Sequence, residues 1–448
     1  MNKTIREITT LLDLGKVTSS ELVDAAIEEI EKEKGQGQTT FIKSYPDQAK
    51  AQAIAIDKLR ASGVVVSPIA GIPISIKDLF DVAGEITTAG SLVRKMCAPA
   101  IQDADIVKKL RSAGAIVMGR TNMTEFAFSG LGINPHYGTP LNPWDRDKSR
   151  IPGGSSSGAA ISVSDNMAVA GIGTDTGGSV RIPSALCGLT GFKPTAARVS
   201  TLGAFPLSTT LDSIGPLARS VECCAILDQI MRGEPVALLR DRPLETLTLA
   251  IPQTIVFDGI DEKVANDFSS ALVKISKLGA KIIDIPFTVL SDIPKANAKG
   301  GYAAVEAFAT LRNLLKKDLN SFDPRVAVRI QRGEDMSAYD YIELMNARKS
   351  ICEISNKISM DFDALLMPTV PITAPILKEL EASDETYHEM NLLMLRNCSF
   401  GNFLDRCAVS LPIHEEGTAP VGLMVMGETN GDVKLLEIAK ILEATIQK

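Results

Sequence analysis

The sequence predicts an α/β fold, a large mixed central sheet covered by helices on both faces. Two observations predict it. Segments with helical periodicity alternate with short apolar runs of strand length, and glycine and proline bound those runs. Hydrophobic residues make up 45% of the 448-residue chain, which is ample for a large core. No linker, internal repeat or low-complexity tract is visible, so a single domain is expected over 1–448. Within it, 1–62 reads as an N-terminal helical part, 63–235 as a core, and 236–448 as the remainder of the sheet with pocket elements.

The elements follow in order. In "TSSELVDAAIEEIEKEK", Thr18 and Glu21 have the spacing of a capping box, and Val23, Ala26, Ile27 and Ile30 share one helical face. "YPDQAKAQAIAIDKLRASG" predicts a second amphipathic helix that stops near Gly63. The texture then changes. "GVVVSPIAGIPISIKDLF" breaks β-branched runs with glycine and proline, so 72–76 is expected to be a buried strand that delivers Lys77 to its end. "DADIVKKLRSAGAIVMGRTNMTEFAF" predicts a helix, a break at Gly114, a short strand and then a turn or second helix. Between 151 and 193 short apolar strands are expected to alternate with tight turns. After 243 the rhythm resumes with the strand "LTLAIPQTI", a helix over 262–278 and the strand "AKIIDIPF". Helical periodicity covers 303–320 and 338–360, and "FDALLMPTVPITAP" predicts a strand entering a proline loop. The strand "APVGLMVMGE" and the helix "GDVKLLEIAKILEATIQ" close the chain.

Composition narrows the function. The formal charge is -7, from 54 acidic and 47 basic residues, so no footprint for direct nucleic-acid binding is expected. The first residues carry charges inside the apolar pattern, and no stretch reaches the ~18 charge-free apolar residues of a membrane span. Neither a signal peptide nor a membrane segment is expected. The seven cysteines include no CxxC pair, and an odd number leaves a thiol unpaired within a monomer. A reducing cytoplasm is the expected compartment.

Two glycine-serine clusters carry the chemistry. In "GTDTGGSVRIP", Gly177 and Gly178 can adopt backbone angles closed to other residues, and Ser179 follows them directly. Such a serine can aim its hydroxyl at a carbonyl carbon while neighbouring amides converge on the developing oxyanion. From this segment alone an ordinary tight turn with a helix-capping serine is the plainer reading. The three histidines, His136, His388 and His414, lie outside any nucleophile-elbow or H-E-x-x-H pattern, and His414 reads as a surface or loop residue. A lysine can activate a serine instead. Lys77 is the candidate, because burial at a strand end lowers a lysine pKa and makes a base of it; a strand-end pair with Asp78 is the plainer alternative. In the first cluster, Ser155, Ser156 and Ser157 follow Gly153 and Gly154, so a hydroxyl there can bridge a distant amine and nucleophile, or simply belong to a flexible loop.

These residues resemble the amidase signature family. The resemblance runs from "PIAGIPISIKDLFDVAG" through "DADIVKKLRSAGAIVMGRTNMTEFAF" and "PGGSSSGAA" to "GIGTDTGGSVRIPSALCGLTGFKPT", with weaker echoes in "STTLDSIGPLARSV", "LMPTVP", "NFLDRCAVSLPI" and "APVGLMVMG". It implies that Lys77 is the catalytic lysine, Ser155 the bridging serine after a cis Gly154–Ser155 bond, and Ser179 the nucleophile. The backbone amides of Thr176, Gly177, Gly178 and Ser179 are implied to form the oxyanion hole, and Asp175 and Arg181 to support the glycine turn. Two departures stand out: Ser157 replaces a glycine common in the family, and Asp165 with Asn166 replaces small residues.

The resemblance implies an amidohydrolase that cleaves a small carboxamide or urea-derived amide through an acyl-Ser179 intermediate, with no cofactor and no metal. A homodimer is implied as well. A second reading is a glutaminase A-type subunit of an amidotransferase, which requires a heteromeric partner. A third is a catalytically silent scaffold with the same fold. Residues 300–400 are expected to line the acyl pocket, and the hydrophobic cluster 392–395 within "NLLMLRN" reads as a helix core face or a contact surface.

Overall fold

The computed structural model describes residues 2–447. Eleven strands form one mixed sheet: β1 (Phe41–Ser44), β2 (Pro73–Lys77), β3 (Ile116–Thr121), β4 (Ala170–Asp175), β5 (Thr190–Lys193), β6 (Ser213–Ala218), β7 (Thr248–Pro252), β8 (Lys281–Ile285), β9 (Ala364–Pro368), β10 (Ala408–Pro412) and β11 (Gly422–Met426). Their spatial order is β1-β3-β2-β4-β6-β5-β10-β11-β9-β7-β8. β2 runs parallel to β3 and β4, β7 runs parallel to β8 and β9, and the remaining pairs are antiparallel. Crossovers through helices join the parallel strands, which is why the helices end up on both faces.

Strand periodicity divides the apolar residues between the two faces. Along β11, Leu423 and Val425 enter one core while Met424 and Met426 enter the other. β9 repeats the pattern, with Leu366 on the first face and Leu365 and Met367 on the second. The first face is covered by the helices Ile5–Asp13, Asp105–Ser112, Val221–Arg232 and Asp432–Ile446, the second by Ala338–Ser359 and Asp384–Phe403. At the β8 edge, Lys281 and Asp284 are exposed, and charge there discourages pairing with another chain.

The N-terminal elements form as their spacing predicts. Thr18 and Glu21 make the reciprocal capping box of the helix Ser19–Glu31, and Val23, Ala26, Ile27 and Ile30 are buried. A second capping box, Thr4 with Glu7, starts the helix Ile5–Asp13, which the charge-interrupted pattern at the N terminus did not announce. Residues 2–62 carry four helices and β1, whose four residues occupy the sheet edge beside β3.

The region 151–193 departs from the expected alternation of strands and turns. The helices Ser157–Ser164 and Arg181–Leu186 bracket β4, and the third serine of the first cluster is a helical residue. Seven consecutive residues from Ser157 to Val163 are buried, so this helix has no polar face and no amphipathic period to read. Its small residues allow close approach to the segments that flank β1 and β3. A Cβ added at Gly158 would lie 2.4 Å from the Thr40 carbonyl oxygen and 2.7 Å from the Asn122 nitrogen, both backbone atoms. Gly158→Ala is therefore expected to cost about 1–3 kcal/mol, the range for overpacking, measured as a lowered midpoint in urea denaturation with an unchanged slope.

Candidate active site

β2 is buried along its whole length and ends at Lys77, which is fully enclosed. The lysine Nζ donates to Ser155 Oγ at 2.7 Å and to Thr174 Oγ1 at 3.0 Å. Burial pulls Lys77 down to about 7, against the raising pull of the Asp212 and Asp175 charges. Asp78 is not its partner. That carboxylate pairs with Arg120 at 3.0 Å and accepts the Gly90 N–H, bracing the strand end from the other side.

Ser155 follows a cis Gly154–Ser155 peptide bond. The segment fits closely: a Cβ at Gly154 would lie 2.6 Å from Gly132 backbone atoms, so only glycine is accommodated. The two glycine-serine clusters meet through the backbone, where the Ser156 N–H donates to the Ser179 carbonyl at 3.3 Å. Ser155, Ser156 and Ser157 are completely buried, so the first cluster is not a flexible loop.

The second cluster is a turn at the end of β4, framed by Asp175. The Asp175 Oδ1 accepts the Gly178 N–H at 2.8 Å, and Oδ2 accepts the Val180 and Arg181 N–H groups at 3.2 and 3.3 Å. The Arg181 guanidinium grips both carboxylate oxygens, through Nε at 3.0 Å and Nη2 at 2.9 Å. Asn402 adds a hydrogen bond to Oδ1 at 2.9 Å and one to the Asp175 carbonyl at 3.0 Å. Burial opposes ionisation of Asp175, but the charge and hydrogen bonds of Arg181, with help from Lys193 and Asn402, hold it well below the usual carboxylate range. Asp175 and Arg181 thus hold the turn through paired hydrogen bonds.

The Gly178 N–H donates to Asp175, which anchors the turn. Thr176, Gly177 and Ser179 line a cavity of about 650 Å³, and Gly178 does not. The other walls are mainly apolar, including Phe128, Leu207, Ile293, Tyr302 and Phe400, so the pocket draws only partly on 300–400. Within 392–395, Met394 is buried in the core, whereas Leu392, Leu393 and Leu395 face the cavity.

The histidines take no part in this arrangement. His136 contacts Glu125 at 3.1 Å, His388 packs edge-on against Tyr387, and His414 is half-buried in the loop after β10. The departures are also structural. Asp165 pairs with Arg146 at 2.9 Å, and Asn166 adopts a positive φ of 61° while accepting from Arg219 at 2.8 Å. Ser157 starts its helix with a buried hydroxyl that has no partner among the described residues.

Four residues at the site escaped sequence reasoning. Thr174 is the second acceptor for Lys77, Asp212 binds the Thr176 hydroxyl, Asn402 arrives from the helix Asp384–Phe403, and Arg329 enters the cavity from the helix Pro324–Gln331. Asp212 lies inside "STTLDSIGPLARSV", where the motif was visible but the carboxylate's direction was not. Thr174 and Asn402 likewise lie inside "GTDTGGSVRIP" and "NFLDRCAVSLPI"; Arg329 becomes visible only when distant segments are brought together.

A family model described as Amidase matches residues 21–436. The chain is 34% identical to 2-amino-5-chloromuconic acid deaminase of Comamonas testosteroni over 403 residues, 89% of this chain and 87% of that protein. It is 32% identical to the A subunit of the glutamyl-tRNA(Gln) amidotransferase of Chromohalobacter salexigens, covering 98% and 95% of the two chains. A crystal structure of an amidase superimposes with a TM-score of 0.87 at 30% identity over 99% of each chain. No helix among the described residues is long and apolar enough to cross a membrane. The fold, the buried lysine-serine arrangement and these matches agree: the chain belongs to the amidase signature family of Ser-cisSer-Lys amidohydrolases, hydrolases of C–N bonds that work through acyl-enzyme chemistry.

Proposed function

We propose that the protein hydrolyses a small carboxamide that also carries a carboxylate, with Ser179 as nucleophile, Ser155 as proton bridge and Lys77 as base. The observation that carries the catalytic part is the 2.7 Å hydrogen bond between Lys77 and Ser155, in a setting that brings the lysine to about 7. A neutral amine there accepts the Ser179 proton through Ser155 as Oγ bonds to the amide carbon. The carbonyl electron pair moves onto oxygen, which the Thr176, Gly177 and Ser179 amides stabilise. Collapse breaks the C–N bond, and the relay returns the proton to the departing amine. Water then attacks the ester by the same route and releases the carboxylic acid.

Arg329 supports the substrate class. Its guanidinium stacks 4.5 Å over the Phe128 ring, and among the described residues its buried Nη1 has no hydrogen-bond partner. Burial lowers Arg329 to about 10, with Tyr387 opposing and Arg332 adding to the effect. The other two arginines of the cavity are anchored, Arg332 to the Ala298 carbonyl at 3.0 Å and Arg396 to the Val256 carbonyl at 2.8 Å. A desolvated cation without an internal anion is costly, and a substrate carboxylate supplies the missing partner. The Comamonas relative, named for an acid, supports this reading.

The match to amidotransferase A subunits favours a second reading, a glutaminase that works with a partner. Glutamine is itself a carboxamide with a carboxylate, so Arg329 suits both. Stoichiometric co-purification with another chain and partner-dependent glutaminase activity select the second reading, and stand-alone turnover selects the first.

Ser179→Ala is expected to reduce ammonia release by about 10⁴-fold, the scale of losing a triad member, across a panel of aliphatic, aromatic, dicarboxylic and urea-derived amides plus glutamine. Because only neutral Lys77 accepts a proton, kcat/KM is expected to fall about tenfold per pH unit below about 7 and to level off above it, in a pH–rate profile. Arg329→Met is expected to lower kcat/KM about 100-fold for carboxylated amides and to leave neutral amides nearly unchanged. Its thermal midpoint should not fall, because an unpaired buried charge is removed.

A further inference from the structure

Asp212 stands immediately before β6, across from the Ser179 turn, because β6 pairs antiparallel with β4 and sets Ser213 opposite Asp175. Its Oδ1 accepts from the Thr176 hydroxyl and from the Ser208 N–H at 3.2 Å, and its Oδ2 accepts from the Leu207 N–H at 3.0 Å. The carboxylate therefore ties the oxyanion turn to the 207–208 segment, whose Leu207 forms part of the substrate cavity wall. On its other side lies a second cavity of about 560 Å³, where Asp212 shares the wall with Thr174, the residue whose hydroxyl accepts from Lys77.

The charges around Lys77 are unequal. Four side chains act on its amine: Ser155 and Thr174 through hydrogen bonds, Asp175 and Asp212 through charge. Asp175 is already matched by the two-pronged grip of Arg181. Asp212 is faced by the Thr176 hydroxyl and the Leu207 and Ser208 amides, and Lys77 is the cation that acts on it. Burial pushes Asp212 up to about 6, against those hydrogen bonds and the lysine charge. When the Ser179 proton arrives, Lys77 becomes an ammonium in a site without bulk water. A buried ammonium needs a counter-charge.

We propose that Asp212 is a positioning residue that supplies the counter-charge for the transient Lys77 ammonium and, through Thr176, fixes the oxyanion turn. The inference rests on the reading of Lys77, Ser155 and Ser179 given above. The proton travels from Ser179 Oγ to Ser155, whose own proton passes to Lys77 Nζ. The same proton leaves with the amine, and Asp212 stays ionised throughout.

The test compares pH profiles of kcat/KM for wild type, Asp212→Asn and Thr176→Val, with Ser179→Ala as the blank. Asp212→Asn removes the charge that raises Lys77, so its acid limb is expected to move about one pH unit lower, with kcat reduced about 100-fold. Thr176→Val removes the tie between the turn and the carboxylate, so kcat should fall. A limb that does not move in Asp212→Asn, or a kcat within threefold of wild type, overturns the inference while Ser179-dependent turnover leaves the site reading standing. Turnover that survives Ser179→Ala overturns the site reading and this inference with it. Should Asp212→Asn fail to fold, Asp212→Ser leaves space for water at the two amides, and the same displacement or constancy of the limb decides the matter.

Discussion

The site depends on holding a lysine amine away from water while keeping it within reach of a serine. Lys77 is fully enclosed, and its side chain ends between two hydroxyls, Ser155 and Thr174, which solvate the amine without fixing its charge. Carboxylates at those two positions would stabilise the ammonium and remove the base. Hydroxyls accept from either protonation state. The sheet makes this possible: Lys77 ends β2, Thr174 lies near the end of the parallel neighbour β4, and the close-packed segment at Gly154 brings Ser155 to them.

The negative charge near that amine is handled by separation of roles. Asp175 is the most heavily bonded carboxylate of the site, accepting three backbone amides, both prongs of Arg181 and the Asn402 amide. Its charge is spent on shaping the turn, so its remaining effect on Lys77 is limited. Asn402 comes from a helix 227 residues further along the chain, which makes the shape of the turn depend on completion of the whole fold. Truncating one member of such a buried network typically costs about 3–5 kcal/mol, because the other charge is left behind. Framing and chemistry are thereby assigned to different carboxylates.

Much of this was legible in the sequence, for identifiable reasons. The strand that ends at Lys77 announced itself by β-branched residues bounded by glycine and proline, and the Thr18 capping box by its three-residue spacing, since both signals are local. Lys77 and Ser179 were nominated by their neighbours and Ser155 by the family resemblance, and the structure brings Lys77 to Ser155 and joins the two serine clusters through Ser156 and Ser179. The helix Ser157–Ser164 was hidden because it is buried all round and therefore has no periodicity. Spacing cannot tell which way an N–H points, so the hydrogen bond from Gly178 to the Asp175 carboxylate, 2.8 Å away, was not legible in the sequence.

Arg329 shows most clearly what sequence cannot carry, with Arg181 as its contrast. Each is an arginine on a short helix with buried apolar neighbours, but Arg181 follows the "GTDTGGSV" motif that singled it out, whereas nothing beside Arg329 marks it. Arg181 satisfies its guanidinium inside the protein with Asp175 and Asn402. Arg329 stacks on Phe128 and leaves Nη1 without a protein partner among the described residues. The desolvation cost falls on both, but only Arg181 recovers it within the chain. The shortfall at Arg329 sits in the wall of the cavity that also holds Ser179, where an incoming anion can offset it. A partner inventory thus separates the arginine that builds the site from the one that waits for a ligand, although both are the same residue type on short helices.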